Sequence, residues 1–213
     1  MAKRLLTATQ AFDLRQALHV ATLDALMASR RWQPGELVFQ GGTSLHLAYG
    51  SPRFSEDLDF LVDSALKLDA ISESVRARLE GTGWLPEGAR LTVGKARDGR
   101  NPYAFAVSIG GPGVIGSVRV MVELMRTGGK TLSAVKAIVA PVRLARGPAA
   151  GMQTFVPTAD LPEIHADKVF ALAARPYLKP RDVFDLHWLA VHGGLRECSA
   201  DDLRVRLATY PSV

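Results

Sequence analysis

Residues 36–62, ELVFQGGTSLHLAYGSPRFSEDLDFLV, contain the pattern that decides the fold. Glu36 to Gln40 is a short, mostly apolar run with strand propensity, and it leads directly into a Gly41-Gly42-Thr43-Ser44 turn and a helical LHLAYG segment. From Ser55 to Val62 acidic and apolar residues alternate before the segment becomes wholly apolar, which predicts a strand with one polar face. The sequence therefore predicts a strand, a glycine turn, a helix and a second strand in close succession.

Two aspartates, Asp57 and Asp59, lie on the polar face of the second predicted strand. Side chains two residues apart in a strand point to the same side, so these carboxylates repel each other unless a cation lies between them. Mg²⁺, or Mn²⁺ in its place, is the natural candidate, because Mg²⁺ prefers one or two carboxylates completed by water and phosphate oxygens. D-x-D alone is typical of a solvated acidic strand face. The glycine turn upstream exposes backbone N–H groups suited to a phosphate, which favours a metal and phosphate site.

The rest of the chain predicts an α+β fold with one sheet-based core and a small second lobe. Residues 7–31 predict an amphipathic helix, and residues 89–109 predict a hairpin around the turn at 98–101. We assign residues 1–157 to the core and residues 158–213 to a C-terminal helical lobe. The other predicted elements are a helix at 66–79, a strand at 118–125, two sheet-edge segments at 134–142 and 152–156, and helices at 161–174, 180–191 and 200–209.

The composition of the 213 residues favours a globular protein that handles a polyanion. The net charge is 26 − 21 = +5, and arginine, whose planar fork matches phosphate geometry, carries most of the positive charge. A basic protein from an arginine-rich proteome is the alternative. Cys198 is the single cysteine, which excludes an intramolecular disulfide and fits a reducing cytoplasm. The sequence has neither the apolar run of a signal peptide nor that of a membrane span, so we expect a cytoplasmic protein without a membrane anchor.

Five segments taken together resemble a known family. They are QGGTSLHLAYG at 40–50, RFSEDLDF at 53–60, VELM at 122–125, EIHADKVFALAAR at 163–175 and KPRDVFDL at 179–186. The glycine turn before D-x-D resembles the DNA polymerase beta-type nucleotidyltransferase superfamily. The whole set resembles the AbiEii/AbiGii family of abortive-infection toxins, the nucleotidyltransferase half of type IV toxin–antitoxin pairs. The resemblance implies a nucleotidyltransferase-like mixed β-sheet with flanking helices.

The resemblance also implies roles for individual side chains. Glu123 matches the third carboxylate of the superfamily, although members more often have aspartate there. Asp182 and Asp185 match family positions on the last motif. Carried over to this chain, the pattern assigns Asp57, Asp59 and Glu123 to metal, Gly42, Thr43 and Ser44 to the triphosphate turn, Lys168 to nucleotide phosphates, and Asp57, Asp59, Lys168 and Asp182 to catalysis.

Lys168 and the two aspartates of the last motif also have physical arguments of their own. Lys168 lies on a helix with one largely apolar side, where an ammonium is costly without an anion, so we expect an NTP phosphate as its partner. The alternative is a solvated helix lysine. Asp182 and Asp185 are three residues apart, and Arg181 is spaced to pair with Asp185. Structural salt bridging therefore competes with chemistry at these positions, and Asp182 can also favour the helix dipole.

Ser55 lies two residues before Asp57, and we expect its hydroxyl on the same strand face, close to the bound triphosphate. Phosphorylation of Ser55 would add roughly −1.5 to −2 charge beside two aspartates and stop nucleotide use. The resemblance favours this hypothesis, because antitoxins of some relatives modify an active-site hydroxyl. The alternative is that Ser55 hydrogen-bonds backbone or a metal-bound water.

The resemblance implies transfer of an NMP from an NTP to an RNA acceptor, with the 3′ end of tRNA as the expected acceptor. The result would be a block of translation, restrained by an antitoxin encoded nearby, and we expect the toxin to be a monomer. NMP transfer to a protein or a small molecule is a second hypothesis. A non-catalytic module that binds NTP or RNA is a third.

Overall fold

The structure, a computed structural model, describes residues 3–96, 99–193 and 195–210. The elements of the first half are β1 Arg4–Leu5, α1 Ala8–Ala28, β2 Leu37–Gln40, α2 Gly41–Tyr49, β3 Leu58–Asp63, α3 Leu68–Glu80, β4 Arg90–Val93 and β5 Tyr103–Gly110. Those of the second half are β6 Val114–Ile115, β7 Val118–Thr127, α4 Gly129–Ala134, β8 Ala137–Arg143, β9 Gln153–Ala159, α5 Leu161–Ala174, α6 Pro180–Val191 and α7 Ala200–Thr209.

Within the described ranges the main sheet has seven strands in the order β4-β5-β7-β3-β2-β9-β8. The pairs β3–β7 and β2–β9 are parallel, and the other neighbours are antiparallel. The two-residue strands β1 and β6 pair separately. The sheet is therefore mixed, and its helices cover both faces, which confirms the predicted α+β fold.

Helix α1 covers one face of the sheet and forms the main core with α3. Thr7 begins the helix by accepting from the backbone N–H of Gln10, whose side chain in turn accepts from the backbone N–H of Thr7. The apolar residues of α1 pack on sheet residues such as Phe39 and Phe60. The helix was predicted to be amphipathic, but its polar residues His19 and Thr22 are buried as well. The reason is that the loop before β3 covers this side of α1, with the His19 Nε2 2.7 Å from the carbonyl oxygen of Glu56.

Helices from the second half of the chain cover the other face of the sheet. Val38 and Leu61 on this face pack against Leu132 of α4, Ile164 of α5 and Trp188 of α6. This packing covers the middle of the face. The polar residues at the ends of β2 and β3 lie beyond it and border an open cavity.

Several predicted limits are confirmed and others are wrong. The helices α5, α6 and α7 have the predicted limits, and β4 and β5 form the predicted hairpin, although Asp98 of its turn lies outside the described residues. The strand β3 begins at Leu58 rather than Ser55, and Gly41 to Ser44 form the first turn of α2 rather than a separate turn. Helix α4 was not predicted.

The C-terminal helices follow β9, which extends to Ala159, two residues past the predicted boundary at 157. The two predicted sheet-edge segments correspond to β8 and β9, which pair antiparallel. The prediction is confirmed for β8, which is the edge strand, and wrong for β9, which lies between β2 and β8. The division of the chain into a core and a helical lobe stays a prediction. No helix in the described part of the chain is long and apolar enough to cross a membrane.

Candidate active site

Three polar residues lie side by side across the centre of the sheet. Gln40 on β2 is the register partner of Asp59 on β3, and Asp59 is the partner of Glu123 on β7. Register partners on neighbouring strands point to the same face, so their side chains form a row. Asp57 comes one residue before β3 and borders the same cavity. The sheet thus brings the three carboxylates predicted from the sequence to one place.

The surroundings of two of these carboxylates, Asp59 and Glu123, raise their pKa values. The pKa of Asp59 is raised to about 7, first by burial and then by the negative charges of Glu123 and Asp57. Burial and the charge of Asp57 also raise the pKa of Glu123. A buried carboxylate beside two others is stabilised in its charged form by a cation. The donor set therefore fits a divalent metal ion.

The carboxylates supply only part of a metal coordination shell. Among residues 3–96, 99–193 and 195–210, no group of three His, Cys, Asp or Glu side chains is already arranged to hold a metal ion. Mg²⁺ commonly uses one or two protein carboxylates and takes its other oxygen ligands from water and substrate phosphates. The site fits a metal that arrives with a phosphorylated substrate.

Gly41 and Gly42 are needed because other groups approach their backbone closely. Gly41 has a φ of +80°, and a Cβ there would lie 2.7 Å from Oδ2 of Asp59. A Cβ on Gly42 would lie 2.1 Å from Nη2 of Arg53 and 3.1 Å from Oγ of Ser55. The glycines therefore admit a carboxylate, a guanidinium and a hydroxyl to the start of α2. Both glycines border the cavity.

Thr43 and Ser44, predicted to contact a triphosphate, lie behind the cavity rather than on its surface. Both are completely buried. Thr43 donates its hydroxyl hydrogen to the carbonyl oxygen of Asp57, and Ser44 donates to the carbonyl oxygen of Gly41 at 2.8 Å. Their hydroxyls hold the backbone of the two segments that carry the carboxylates and the glycines.

A set of ion pairs borders the same cavity as the carboxylates. Lys168 Nζ lies 2.8 Å from Asp182 and 2.7 Å from Asp185. Arg53 donates two hydrogen bonds to Asp185, at 2.6 and 2.7 Å, and Arg175 also pairs with Asp182. The two aspartates of α6 thus join three cations, one from the loop before β3, one from α5 and one from the residue that ends α5.

Two sequence-based arguments are corrected by these contacts. The anions beside Lys168 are the carboxylates of Asp182 and Asp185, so the cost of burying its ammonium does not by itself require a nucleotide phosphate. Asp185 pairs with Arg53 and Lys168 rather than with Arg181, because its side chain points into the protein and is completely buried. Asp182 lies in the first turn of α6, as predicted. Burial would raise the pKa of Asp182, but Lys168, Arg175 and Arg181 together lower it.

The C-terminal end of α7 reaches the same cavity. Tyr210 accepts a hydrogen bond from Gln40 Nε2 at 2.8 Å, and its ring lies 6.1 Å from that of Phe170. Asp167, which pairs with Arg206 of α7, also borders the cavity, and burial raises its pKa to about 6. Helix α7 is therefore fastened beside the carboxylate row.

Ser55 borders the cavity in the loop between α2 and β3. The prediction that Ser55 lies on the same strand face as Asp57 was wrong, because Ser55 precedes the strand β3, which begins at Leu58. Its hydroxyl reaches the start of α2, where it lies 3.1 Å from the position of a Cβ on Gly42. The loop places it between Arg53 and Asp57.

The sequence patterns did not single out five polar residues of the cavity, namely Gln40, Arg53, Arg175, Lys179 and Tyr210. All but Tyr210 lie within the segments quoted above. Gln40 and Arg53 have partners far along the chain, Tyr210 and Asp185, and Arg175 pairs with Asp182 across the break between α5 and α6. Contacts of this kind follow from the packing of α5, α6 and α7 against the sheet.

The cavity has a volume of about 450 Å³. Its lining includes three carboxylates at the sheet, which we call the acidic side: Asp57, Asp59 and Glu123. It also includes five cations, which we call the basic side, together with the carboxylates Asp167 and Asp182; the cations are Arg53, Lys168, Arg175, Lys179 and Arg181. A mixed sheet with carboxylates and cations on one such cavity suits a metal-complexed nucleotide, because the metal binds carboxylates and the phosphates bind cations. The class that this fold and site define is the nucleotidyltransferases.

A comparison with family models gives the particular family. The model for the nucleotidyl transferase AbiEii toxin of type IV toxin–antitoxin systems matches residues 24–210. The chain belongs to this family of nucleotidyltransferase toxins. A comparison with curated proteins finds no match.

Solved structures have the same fold at low sequence identity. MenT4, a nucleotidyltransferase toxin from Mycobacterium tuberculosis, is similar with a TM-score of 0.63 and 22% identity, over 92% of this chain and 63% of that one. JHP933 from Helicobacter pylori is similar with a TM-score of 0.62 and 22% identity, over 97% of this chain and 80% of that one. The chain thus spans somewhat under two thirds of the mycobacterial toxin's length.

Proposed function

We propose that this toxin transfers an NMP from an NTP to an RNA acceptor, the 3′ end of tRNA, and thereby blocks translation. The observation that carries the proposal is that carboxylates of the sheet and five cations border one cavity. A nucleoside triphosphate with its divalent cation has the complementary arrangement, because the cation seeks carboxylates and the phosphates seek cations.

Asp57 and Asp59, with Glu123 beside them, would hold Mg²⁺ or Mn²⁺. The metal would lower the pKa of the attacking hydroxyl and stabilise the charge of the leaving pyrophosphate. The protein contributes position: Thr43 holds the carbonyl of Asp57, and Gly41 admits the carboxylate of Asp59. Phosphoryl-type transfers of this kind depend on such positioning more than on covalent work by side chains.

The basic side would hold the phosphates and offset their charge. Gly42 at the start of α2 brings backbone N–H groups to the cavity, where the positive end of the helix favours an anion. Lys168 has three N–H donors and gives two of them to aspartates, which leaves one for a phosphate oxygen. Asp182 would act by holding Lys168 in place.

An RNA acceptor is supported by the net charge of +5. A basic surface attracts the phosphate backbone without regard to sequence. A toxin whose target is tRNA would stop translation, and the type IV family implies a separately encoded antitoxin as partner. Transfer to a protein or a small molecule, and a non-catalytic role, are the outcomes against which the proposal is tested.

The test incubates the protein with each labelled NTP, Mg²⁺ and total tRNA. Label in tRNA is expected, and it should disappear in Asp57→Ala and Asp59→Ala. Glu56→Ala is the matched control, because the Glu56 side chain is 62% exposed and turns away to Arg15. Label in protein or in a small molecule would change the acceptor. Absence of label with every NTP would contradict the catalytic proposal.

We further propose that Ser55 is a point of control. Ser55 borders the cavity, and its hydroxyl lies near the start of α2 together with the Arg53 guanidinium, where a phosphate group would compete with the nucleotide's phosphates. Intact-mass measurement of the toxin co-expressed with its neighbouring gene should show one added phosphate in the inhibited protein. Unmodified Ser55 in fully inhibited toxin would contradict this mechanism.

A further inference from the structure

The basic side of the cavity contains two kinds of cation. Arg53, Lys168 and Arg175 each contact a carboxylate of α6, whereas Lys179 and Arg181 do not. We propose that Arg181, assisted by Lys179, is the main side-chain ligand of the terminal phosphates, and that Lys168 chiefly fastens α6 to α5. This inference rests on the proposed use of a nucleoside triphosphate and names the residues that hold it.

The contacts of Lys168 and Arg53 use up most of their hydrogen-bond donors. Lys168 is held between two aspartates, and its side chain is only 12% exposed. Arg53 gives Nε and Nη2 to Asp185 and donates Nη1 to the carbonyl oxygen of Phe54 at 3.2 Å. A phosphate that recruited these groups would have to compete with short, buried, charge-assisted hydrogen bonds. These cations therefore serve mainly as ion-pair partners within the protein and less as ligands of a bound phosphate.

Arg181 has its donors available. Its residue is exposed and borders the cavity, and within the described part of the chain it forms no ion pair or side-chain hydrogen bond. Its charge acts on both sides of the cavity, since it lowers the proton affinity of Asp59 and of Asp182. The guanidinium of Arg181 thus adds positive potential at both carboxylates, which favours an anion in the cavity that they border.

The place of Arg181 in α6 suits an anion as well. The helix begins at Pro180, so Arg181 is its second residue, and the positive end of a twelve-residue helix dipole adds to its charge. Lys179, which precedes the helix, also borders the cavity, and its Nζ lies 5.6 Å from the centre of the Tyr177 ring. The planar fork of Arg181 can donate two parallel hydrogen bonds to one phosphate, whereas Lys179 supplies a point charge.

The two roles predict different consequences of substitution. Removal of Arg181 takes away contacts that form only when an anion is bound, so the affinity for that anion falls and the stability of the free protein is unchanged. Removal of Lys168 leaves two buried carboxylates with fewer cations, so the free protein itself is destabilised.

The experiment measures binding of inorganic tripolyphosphate in the presence of Mg²⁺ by calorimetry, together with the thermal midpoint of each free protein. Arg181→Gln should weaken binding by about 10- to 100-fold, the value of one or two charge-assisted hydrogen bonds. Arg181→Lys should recover part of the affinity. Both should keep the wild-type midpoint. Arg204→Gln is the matched control, because Arg204 is 76% exposed on α7, pairs with Asp201 and does not border the cavity.

The outcomes separate this inference from the proposed function. Wild-type affinity in Arg181→Gln, or a loss of affinity matched by a loss of thermal stability, would overturn the role of Arg181. Neither result would contradict the proposed nucleotide transfer. Failure of the wild-type protein to bind either tripolyphosphate or any NTP would contradict both the role of Arg181 and the proposed nucleotide transfer.

Discussion

Replacement of Lys168 by alanine should destabilise the free protein, before any nucleotide is bound. In the wild-type structure the ammonium lies between Asp182 and Asp185, whose side chains are 3% and 0% exposed. Removal of one member of a buried ion pair costs about 3–5 kcal/mol, because it leaves a buried charge without compensation. Each aspartate keeps an arginine, Arg175 or Arg53, so we expect the low end of this range, about 3 kcal/mol.

The expected loss is large enough to measure in two ways. For a chain of this length about 3 kcal/mol corresponds to a fall in thermal midpoint of roughly 6–12 °C. Urea unfolding monitored by circular dichroism gives the free energy directly. Lys168→Arg should lose less, because the charge remains although the guanidinium does not superimpose on a compact ammonium. Lys130→Ala, at an exposed lysine of α4, is the matched control and should unfold as the wild type does.

A double-mutant cycle with Asp182→Ala tests the reasoning itself. Lys168 and Asp182 are in contact, so the loss in the double variant should be smaller than the sum of the two single losses. A loss below about 1 kcal/mol for Lys168→Ala, typical of a solvated lysine, would refute the structural role. Additive losses in the cycle would refute the coupling between Lys168 and Asp182.

Three further predictions concern the acidic side of the cavity. Gly41→Ala should abolish NTP use, whereas Gly35→Ala should only reduce stability. Both glycines have positive φ, but of the two only Gly41 has a neighbour, Oδ2 of Asp59, within 3 Å of the Cβ that alanine would add. Equal activity of the two variants would contradict this prediction. In metal-free buffer, Asp59 should stabilise the fold at low pH and lose that contribution as the pH rises from about 4 to about 7, since its folded pKa is raised to about 7 from 3.8. Asp59→Asn should therefore show a flatter unfolding free energy between pH 4 and 8, and a profile parallel to that of the wild type would count against a raised pKa. Thr43→Val removes the hydrogen bond from the Thr43 hydroxyl to the carbonyl oxygen of Asp57. It should lower kcat with little change in KM and cost about 1–2 kcal/mol of stability. Unchanged kcat would show that this hydrogen bond does not position the carboxylate of Asp57.

Much of the local structure could be predicted from the sequence because the responsible signals are local. The limits of α5 and α6 coincide with helix-start signals, Asp160 before Leu161 and Pro180 as the first helical residue. The alternation around Asp57 and Asp59 indicated the strand β3, although its predicted start at Ser55 was wrong and only Asp59 of the two aspartates lies within it. The five quoted segments together indicated the family that residues 24–210 match.

Other features depended on which segments come into contact, and no pattern in the sequence records that. The charge of Lys168 on a largely apolar helix suggested a phosphate partner. The spacing of Arg181 and Asp185 suggested an ion pair between them. In the structure, Lys168 and Arg53 reach Asp185 instead, and Arg53 lies 132 residues away in the chain. The ion-pairing partners of a buried charge are decided by the groups that become buried with it, because each must find a counter-ion once water is excluded.

The sequence by itself determined the types of residue in the site, the family and most of the helices and strands. Only the tertiary structure decided how the cations of the cavity are divided. Packing of α6 on α5 brings Asp182 and Asp185 to Lys168, and the loop before β3 adds Arg53, while Arg181 points where no carboxylate of the described chain pairs with it. The physical reason is that a charge near a binding site is free for a ligand only when folding has not already supplied its partner.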